Sequence, residues 1–283
     1  MITVKNLSYS YPKSKTFALE SLNFSIADGE IFGFLGPSGA GKSTTQKILY
    51  KILTGYQGEI LIDGKPLESL GKTYYSRIGV GFELPNHYLK LTARENLNLF
   101  GSFYPKEKLQ NLEMLFESVG MAEHIDKRVE DYSKGMKMRL NFIRSIMHDP
   151  DIIFFDEPTS GLDPINGHKV KTLIKELKQK GKTIFITTHD MSTADELCDR
   201  VSFIVDGKIV LTETPTILKH QHGKECIQVT TKDFSKTEFP VDGIGYNKAF
   251  LDLIKQDNLM KIETLEASLE EVFIKVTGKN LKH

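Results

Sequence analysis

The apolar run Glu30-Ile31-Phe32-Gly33-Phe34-Leu35 leads directly into Gly36-Pro37-Ser38-Gly39-Ala40-Gly41-Lys42-Ser43-Thr44, and a helical pattern from Thr45 to Leu53 follows. This is G-x-x-x-x-G-K-[ST] placed between a strand and a helix. Glycines let the backbone N–H groups converge on a phosphate, and the helix N-terminus adds the positive end of its dipole. In that cradle Lys42 would reach the β and γ oxygens, and the Ser43 hydroxyl could ligate Mg²⁺. Such a loop works only at the carboxyl edge of an open sheet, so an α/β core is the first expectation.

A second element fits the same core. Ile152-Ile153-Phe154-Phe155 reads as a buried strand that delivers Asp156 and Glu157 at its end, where Asp156 would hold Mg²⁺ through water and Glu157 would polarise the attacking water. Thr183-Ile184-Phe185-Ile186-Thr187 is a third such strand. The pairs Asp63-Gly64 and Asp206-Gly207 have hairpin chemistry, so antiparallel pieces accompany the parallel sheet. Between residues 91 and 148 the apolar positions Leu97, Phe100, Leu112, Leu115, Phe116, Leu140, Ile143 and Met147 recur at three and four. That spacing predicts a helical subdomain inserted into the core.

The expected division is a domain built on the phosphate loop over residues 1–218 and a small accessory region over residues 225–283. The polar run from Lys219 to Glu225 reads as a linker. In the tail, Ile227 to Thr231 is one strand. A final helix opens on a Ser268/Glu271 capping box, with Leu269, Val272, Phe273 and Val276 on one face, a stripe suited to docking on the parent domain or to a partner.

Composition narrows the classes. The 283 residues carry 37 Lys+Arg against 37 Asp+Glu, a zero net charge that argues against a surface tracking nucleic acid. Cys198 and Cys226 are the only cysteines, too few for a disulfide scaffold and consistent with a reducing compartment. Nowhere do about 18 apolar residues run together, and no signal-peptide pattern opens the chain. A cytoplasmic protein is expected, one that reaches a membrane only through a partner.

Further motifs choose among nucleotide hydrolases. Tyr132-Ser133-Lys134-Gly135-Met136-Lys137 stands before a helical run from Lys137 to Met147, where Ser133 would cap the helix and Gly135 would leave its N–H groups open to a phosphate. With Ser160-Gly161-Leu162-Asp163 and His189 in order after it, the chain resembles the ATP-binding subunit of ABC transporters over residues 1–214. The resemblance implies a P-loop NTPase core with an antiparallel β subdomain, an inserted helical subdomain and a small α+β tail. It implies MgATP as cofactor and a head-to-tail homodimer or heterodimer in which Ser133 and Gly135 address the γ-phosphate held by the other subunit. His189 matches the switch histidine that positions water beside Glu157, and Tyr11 the aromatic residue that stacks on adenine. A membrane-spanning permease would be the partner, seated over a groove formed by the segment from Leu84 to Tyr104, with exposed Phe82, Leu84 and Tyr88 as anchors. The branch it resembles most exports drugs and antibiotics, which places the chain on the inner face of the cell membrane.

Two departures touch chemistry. Glu83, in Gly81-Phe82-Glu83-Leu84-Pro85, stands where the family has glutamine as a metal contact; it either ligates Mg²⁺ or points away as a solvated loop residue. Lys134 and Met136 replace the glycine and glutamine of the family signature. Rival classes are a soluble ABC-type ATPase acting on ribosomes or DNA, and a small-molecule kinase. The first would need a second cassette or long coiled coils, whereas only about 90 residues separate Ser43 from Ser133 without sustained heptads; the second would need an acceptor pocket and lid.

Overall fold

Strand β1 (Ile2–Tyr9) runs antiparallel to β2 (Leu19–Ile26), with Val4 opposite Phe24 and Ile2 opposite Ile26. Burial alternates along both strands except at Lys5-Asn6 and Glu20-Ser21, where the register shifts, as expected of a sheet with one wet face. In contrast, β3 (Ile31–Leu35) is buried at every position, the mark of a strand covered on both sides. These belong to a computed structural model that describes residues 1–14, 16–222, 226–265 and 267–279.

The chain divides into two compact units, Met1–Thr212 and Glu213–Asn280. In the first, α1 (Lys42–Leu49) follows the glycine-rich turn, and β4 (Gln57–Ile62) and β5 (Lys65–Pro66) complete a four-stranded sheet of order β2-β1-β4-β5. Next come β6 (Ile78–Gly81), the helices α2 (Ala93–Gly101), α3 (Leu112–Ser118) and α4 (Lys134–Ile146), and β7 (Ile152–Asp156). The unit ends with α5 (Pro164–Gln179), β8 (Thr183–Thr188), α6 (Met191–Leu197), β9 (Arg200–Val205) and β10 (Lys208–Glu213). The second sheet has the order β10-β9-β3-β8-β7-β6, with β9, β3, β8, β7 and β6 parallel to one another. The expected α/β class is therefore realised: a mainly parallel sheet, an antiparallel sheet and a run of helices with no strand from Ala93 to Ile146.

Both Asp-Gly pairs sit in hairpin turns with positive φ at both residues, 51° and 73° at Asp63-Gly64 and 48° and 75° at Asp206-Gly207, which fits the type I′ geometry their composition favours. The two sheets share an aromatic core. Phe24 meets Phe34 with ring centroids 4.9 Å apart, and Phe34 meets Phe185 at 4.9 Å. Each fully buried side chain of this kind contributes about 1.5–3 kcal/mol of apolar transfer, so the edge of β3 is held firmly where the phosphate loop begins.

In the second unit, α7 (Pro215–His222) packs against α9 (Leu269–Thr277), while β11 (Cys226–Thr231), β12 (Lys236–Pro240) and β13 (Leu259–Leu265) form a sheet of order β12-β11-β13 and α8 (Lys248–Ile254) lies between the last two strands in sequence. The linker expectation is corrected here: Lys219 to His222 is the last turn of α7, whose buried Pro215 and Leu218 anchor it, and the remaining stretch, 223–225, lies outside the described residues. The capping box of Ser268 and Glu271 is present. The apolar face of α9 buries Leu269, Val272 and Phe273 and packs on α7 of its own unit.

Candidate functional site

The glycine-rich turn owes its path to two close constraints. Gly41, with φ 105°, is the N-cap of α1, and a Cβ there would meet Leu19 Cδ2 at 2.5 Å. A Cβ on Gly36 would meet the Ile204 carbonyl oxygen at 2.1 Å. Only glycine fits either place. The helix consequently starts at Lys42, three residues before the Thr45 expected from the apolar pattern, so Lys42 and Ser43 occupy its first turn.

A cleft of about 320 Å³ opens over this turn, lined by Ser38, Gly39, Gly41, Lys42, Ser43 and Thr44 on one side and by Glu83, Asp156, Glu157 and His189 on the other. Lys42 is buried and its Nζ donates to the Gly36 and Pro37 carbonyls at 2.7 and 3.0 Å. Burial pulls its pKa down, against the opposing pull of Glu157, Asp156 and Glu83. Of the remaining loop residues, Ala40 is buried and its carbonyl accepts from Gly207 N–H at 3.1 Å, so its role is to fix the turn.

Strands β7 and β8 orient the carboxylates. Thr187 Oγ1 donates to Asp156 Oδ1, and Thr188 Oγ1 donates to Glu157 Oε2 at 2.9 Å. Glu157 Oε1 accepts from His189 N–H at 2.9 Å and lies 2.7 Å from His189 Nδ1. Glu157 also adopts a left-handed backbone with φ 52°, a conformation that costs an ordinary residue free energy and is concentrated at functional positions. Neither threonine was singled out by motif. Two adjacent buried hydroxyls closing the apolar run Ile184-Phe185-Ile186 are the signal that would have found them.

Three carboxylates face one ammonium in this cleft, so a polyphosphate entering it needs a further cation. Ser43, Glu83 and Asp156 bring hard oxygen donors to the same space, the donor class a Mg²⁺ ion takes. Among the described residues no group of three His, Cys, Asp or Glu side chains could hold a metal unaided, which fits an ion that keeps waters and phosphate oxygens as ligands. Glu83 is exposed and lines the cleft.

Tyr11 is exposed at the rim, its hydroxyl 2.9 Å from Thr44 Oγ1 and its ring edge-on to Tyr9. Ser133 caps α4 by accepting from Met136 N–H at 3.2 Å, and that helix starts at Lys134, ahead of the expected Lys137. Ser133 and Gly135 do not line the cleft; Gly135 faces Leu162 and Gly161. The structure thus brings the phosphate loop, Glu83, Asp156, Glu157 and His189 together and leaves the Ser133-Gly135 pair outside.

Beside the cleft lies an apolar groove of about 730 Å³, walled by Tyr50, Ile78, Phe82, Leu84, Phe100 and Tyr104. Leu84 and Tyr88 are exposed as expected. Phe82 is not: it is half-buried against Tyr50 and under the Arg144 guanidinium, and Tyr88 is not part of the groove wall. Among the described residues no helix is long and apolar enough to cross a membrane.

Residues 19–160 match the sequence model of the family described as ABC transporter. The chain is 47% identical, over 99% of its length and 94% of the relative's, to a fluoroquinolones export ATP-binding protein of Mycobacterium tuberculosis. It is 32% identical to the bacitracin transport ATP-binding protein of Bacillus licheniformis over 98% and 97% of the two chains. Among solved structures it resembles an ATP-binding subunit of an ABC transporter, with TM-score 0.71 and 29% identity over 79% of this chain and 93% of that one. It also resembles a dimeric ATP-binding cassette in a post-hydrolysis state bound to ADP and Pi, with TM-score 0.67 and 28% identity over 76% and 98% of the chains.

Proposed function

This chain belongs to the ABC transporter family, and from that premise we propose that it is the ATP-binding and hydrolysing subunit that powers a separate membrane-spanning partner, an exporter of drugs or other small hydrophobic compounds. The observation that carries the reading is the split arrangement of the site: one cleft gathers Lys42, Ser43, Asp156, Glu157 and His189, while Ser133 and Gly135 stand at the start of α4 outside it. A second subunit facing head to tail would supply its own Ser133 and Gly135 to the γ-phosphate, making the nucleotide part of the dimer interface.

Within that frame Lys42 and the α1 N-terminus neutralise phosphate charge, Tyr11 stacks on adenine, and Ser43, Glu83 and Asp156 would hold Mg²⁺, whose positive charge would offset that of the phosphate oxygens. Glu157 accepts hydrogen from the attacking water, with Thr188 and His189 fixing its two oxygens. The unit Met1–Thr212 is the ATP-binding domain, with 91–148 as its helical subdomain, and the unit that begins at Glu213 is an accessory region, a boundary a few residues earlier than the 218 expected from the sequence. The partner docks a helix in the groove walled by Phe82, Leu84 and Tyr104 and holds the chain at the cytoplasmic face of the membrane.

The test is capture of the tagged full chain from detergent-solubilised membranes of its own source cell. An integral membrane protein encoded next to this chain should co-purify, and Leu84→Asp should release it while MgATP binding persists. Recovery of ribosomal or DNA-bound complexes in its place would overturn the assignment.

A further inference from the structure

Gln46 is fully buried in α1, one turn beyond Lys42. Its Nε2 donates to two carbonyls at once, Phe155 on β7 at 3.0 Å and Phe185 on β8 at 3.3 Å. Phe155 immediately precedes Asp156 and Glu157; Phe185 lies on the strand that ends in Thr187, Thr188 and His189. Just beyond, Glu157 N–H donates to the Thr187 carbonyl at 2.9 Å. Both hydrogens of one amide thus tie the helix carrying Lys42 and Ser43 to the two strands carrying the carboxylates and the histidine.

Stability alone does not account for an amide here. Gln46 Oε1 is buried and has no hydrogen-bond partner among the described residues, and an unpaired buried carbonyl is a liability that leucine or methionine of similar volume would remove. The sequence Thr44-Thr45-Gln46-Lys47 gives no hint of the contact, because a glutamine at a helix position reads as surface.

We propose that Gln46 is a positioning residue: it sets the spacing between the phosphate loop and the Asp156-Glu157 and Thr188-His189 pairs, so that hydrolysis depends on it while nucleotide affinity does not. This rests on the assignment of Glu157 and Asp156 to hydrolysis made above. It acts without touching the cleft, which Gln46 does not line.

The experiment compares Gln46→Leu, Gln46→Met and Glu157→Gln with the parent, all as full chains. Both Gln46 variants should lose about tenfold to a hundredfold in kcat, the scale of a misplacement near 1 Å, with KM and MgATP affinity within about twofold and an unfolding midpoint no lower than the parent's. Hydrogen exchange followed by mass spectrometry should show faster exchange in the peptide containing the Glu157 amide and little change in β9 or α5. Unchanged kcat together with unchanged exchange at Glu157 overturns the proposal. So does a loss of kcat that comes with a lower midpoint and faster exchange throughout the sheet, since that describes a general packing role. Full hydrolysis by Glu157→Gln would instead remove the site assignment on which the proposal stands, and is read separately from the Gln46 variants.

Discussion

Glu157 and His189 share one oxygen twice: Oε1 of Glu157 accepts from the backbone N–H of His189 at 2.9 Å and sits 2.7 Å from its ring Nδ1. A carboxylate can only accept, so Nδ1 carries a hydrogen and donates it to Oε1. The pair is therefore a fixed unit, and changing either member disturbs the other.

Glu157→Gln keeps the shape and one acceptor oxygen but removes the charge that draws hydrogen from water. We expect MgATP binding to survive and hydrolysis to fall by about a hundredfold or more. Light scattering in MgATP should show a lasting dimer for the variant and monomer for the parent in ADP. Hydrolysis near the parent rate would assign the base elsewhere.

Glu83→Gln replaces an anionic oxygen by a neutral one beside Ser43 and Asp156. The Mg²⁺ concentration for half-maximal ATPase activity should rise at least about threefold, while ATP affinity without metal stays level or improves because repulsion with the γ-phosphate is relieved. A Mg²⁺ titration that superimposes on the parent's would put Glu83 outside the metal shell.

Acid sensitivity has a local source in the 82–88 segment. His87 is buried, donating from Nε2 to the Lys137 carbonyl at 3.1 Å, and burial, helped by the nearby charges of Arg144 and Lys137, lowers its pKa from 6.5 to about 4. Burial lowers that of His148 as well. Between those limits the unfolded chain binds the proton that the folded chain refuses, so stability is full above the unfolded value and is lost as pH falls toward 4. His87→Gln keeps an N–H for Lys137 and cannot titrate; its urea-unfolding free energy should fall less steeply across that window, by up to about 1.4 kcal/mol per pH unit. Parallel slopes for the two proteins would count against the assignment.

The tail should be dispensable for nucleotide binding, since every residue that lines the cleft precedes Thr212. A chain ending at Thr214 should bind ATP within about twofold of the full chain by calorimetry. A folded truncation that fails to bind would give the tail a share in the site.

The strands that matter most were legible because they are buried on both faces: Ile31–Leu35, Ile152–Asp156 and Thr183–Thr188 announce themselves as apolar runs whatever their neighbours. Helix starts read from the apolar period came three residues late, at Thr45 and Lys137 against Lys42 and Lys134, whereas the caps named from residue type, Ser133 and Ser268, stand where they were expected. In the tail, β12 and β13 escaped notice because exposed edge strands carry Lys, Glu and Thr where a buried strand would carry Val and Ile. Within the cleft, Lys42, Ser43, Asp156 and Glu157 follow a spacing rule and could be named from it. Thr187, Thr188 and Gln46 act on other protein groups and became visible only once β7, β8 and α1 were side by side.

The Tyr11 hydroxyl held 2.9 Å from Thr44 at the mouth of the cleft has an optical consequence. The chain contains no tryptophan, so excitation at the red edge of the protein band finds no emitter in it. Tyr11→Trp would introduce a single indole beside the phosphate loop against a dark background, and the arrival of an adenine ring upon it would be read directly as quenched emission, one signal from one place in the molecule.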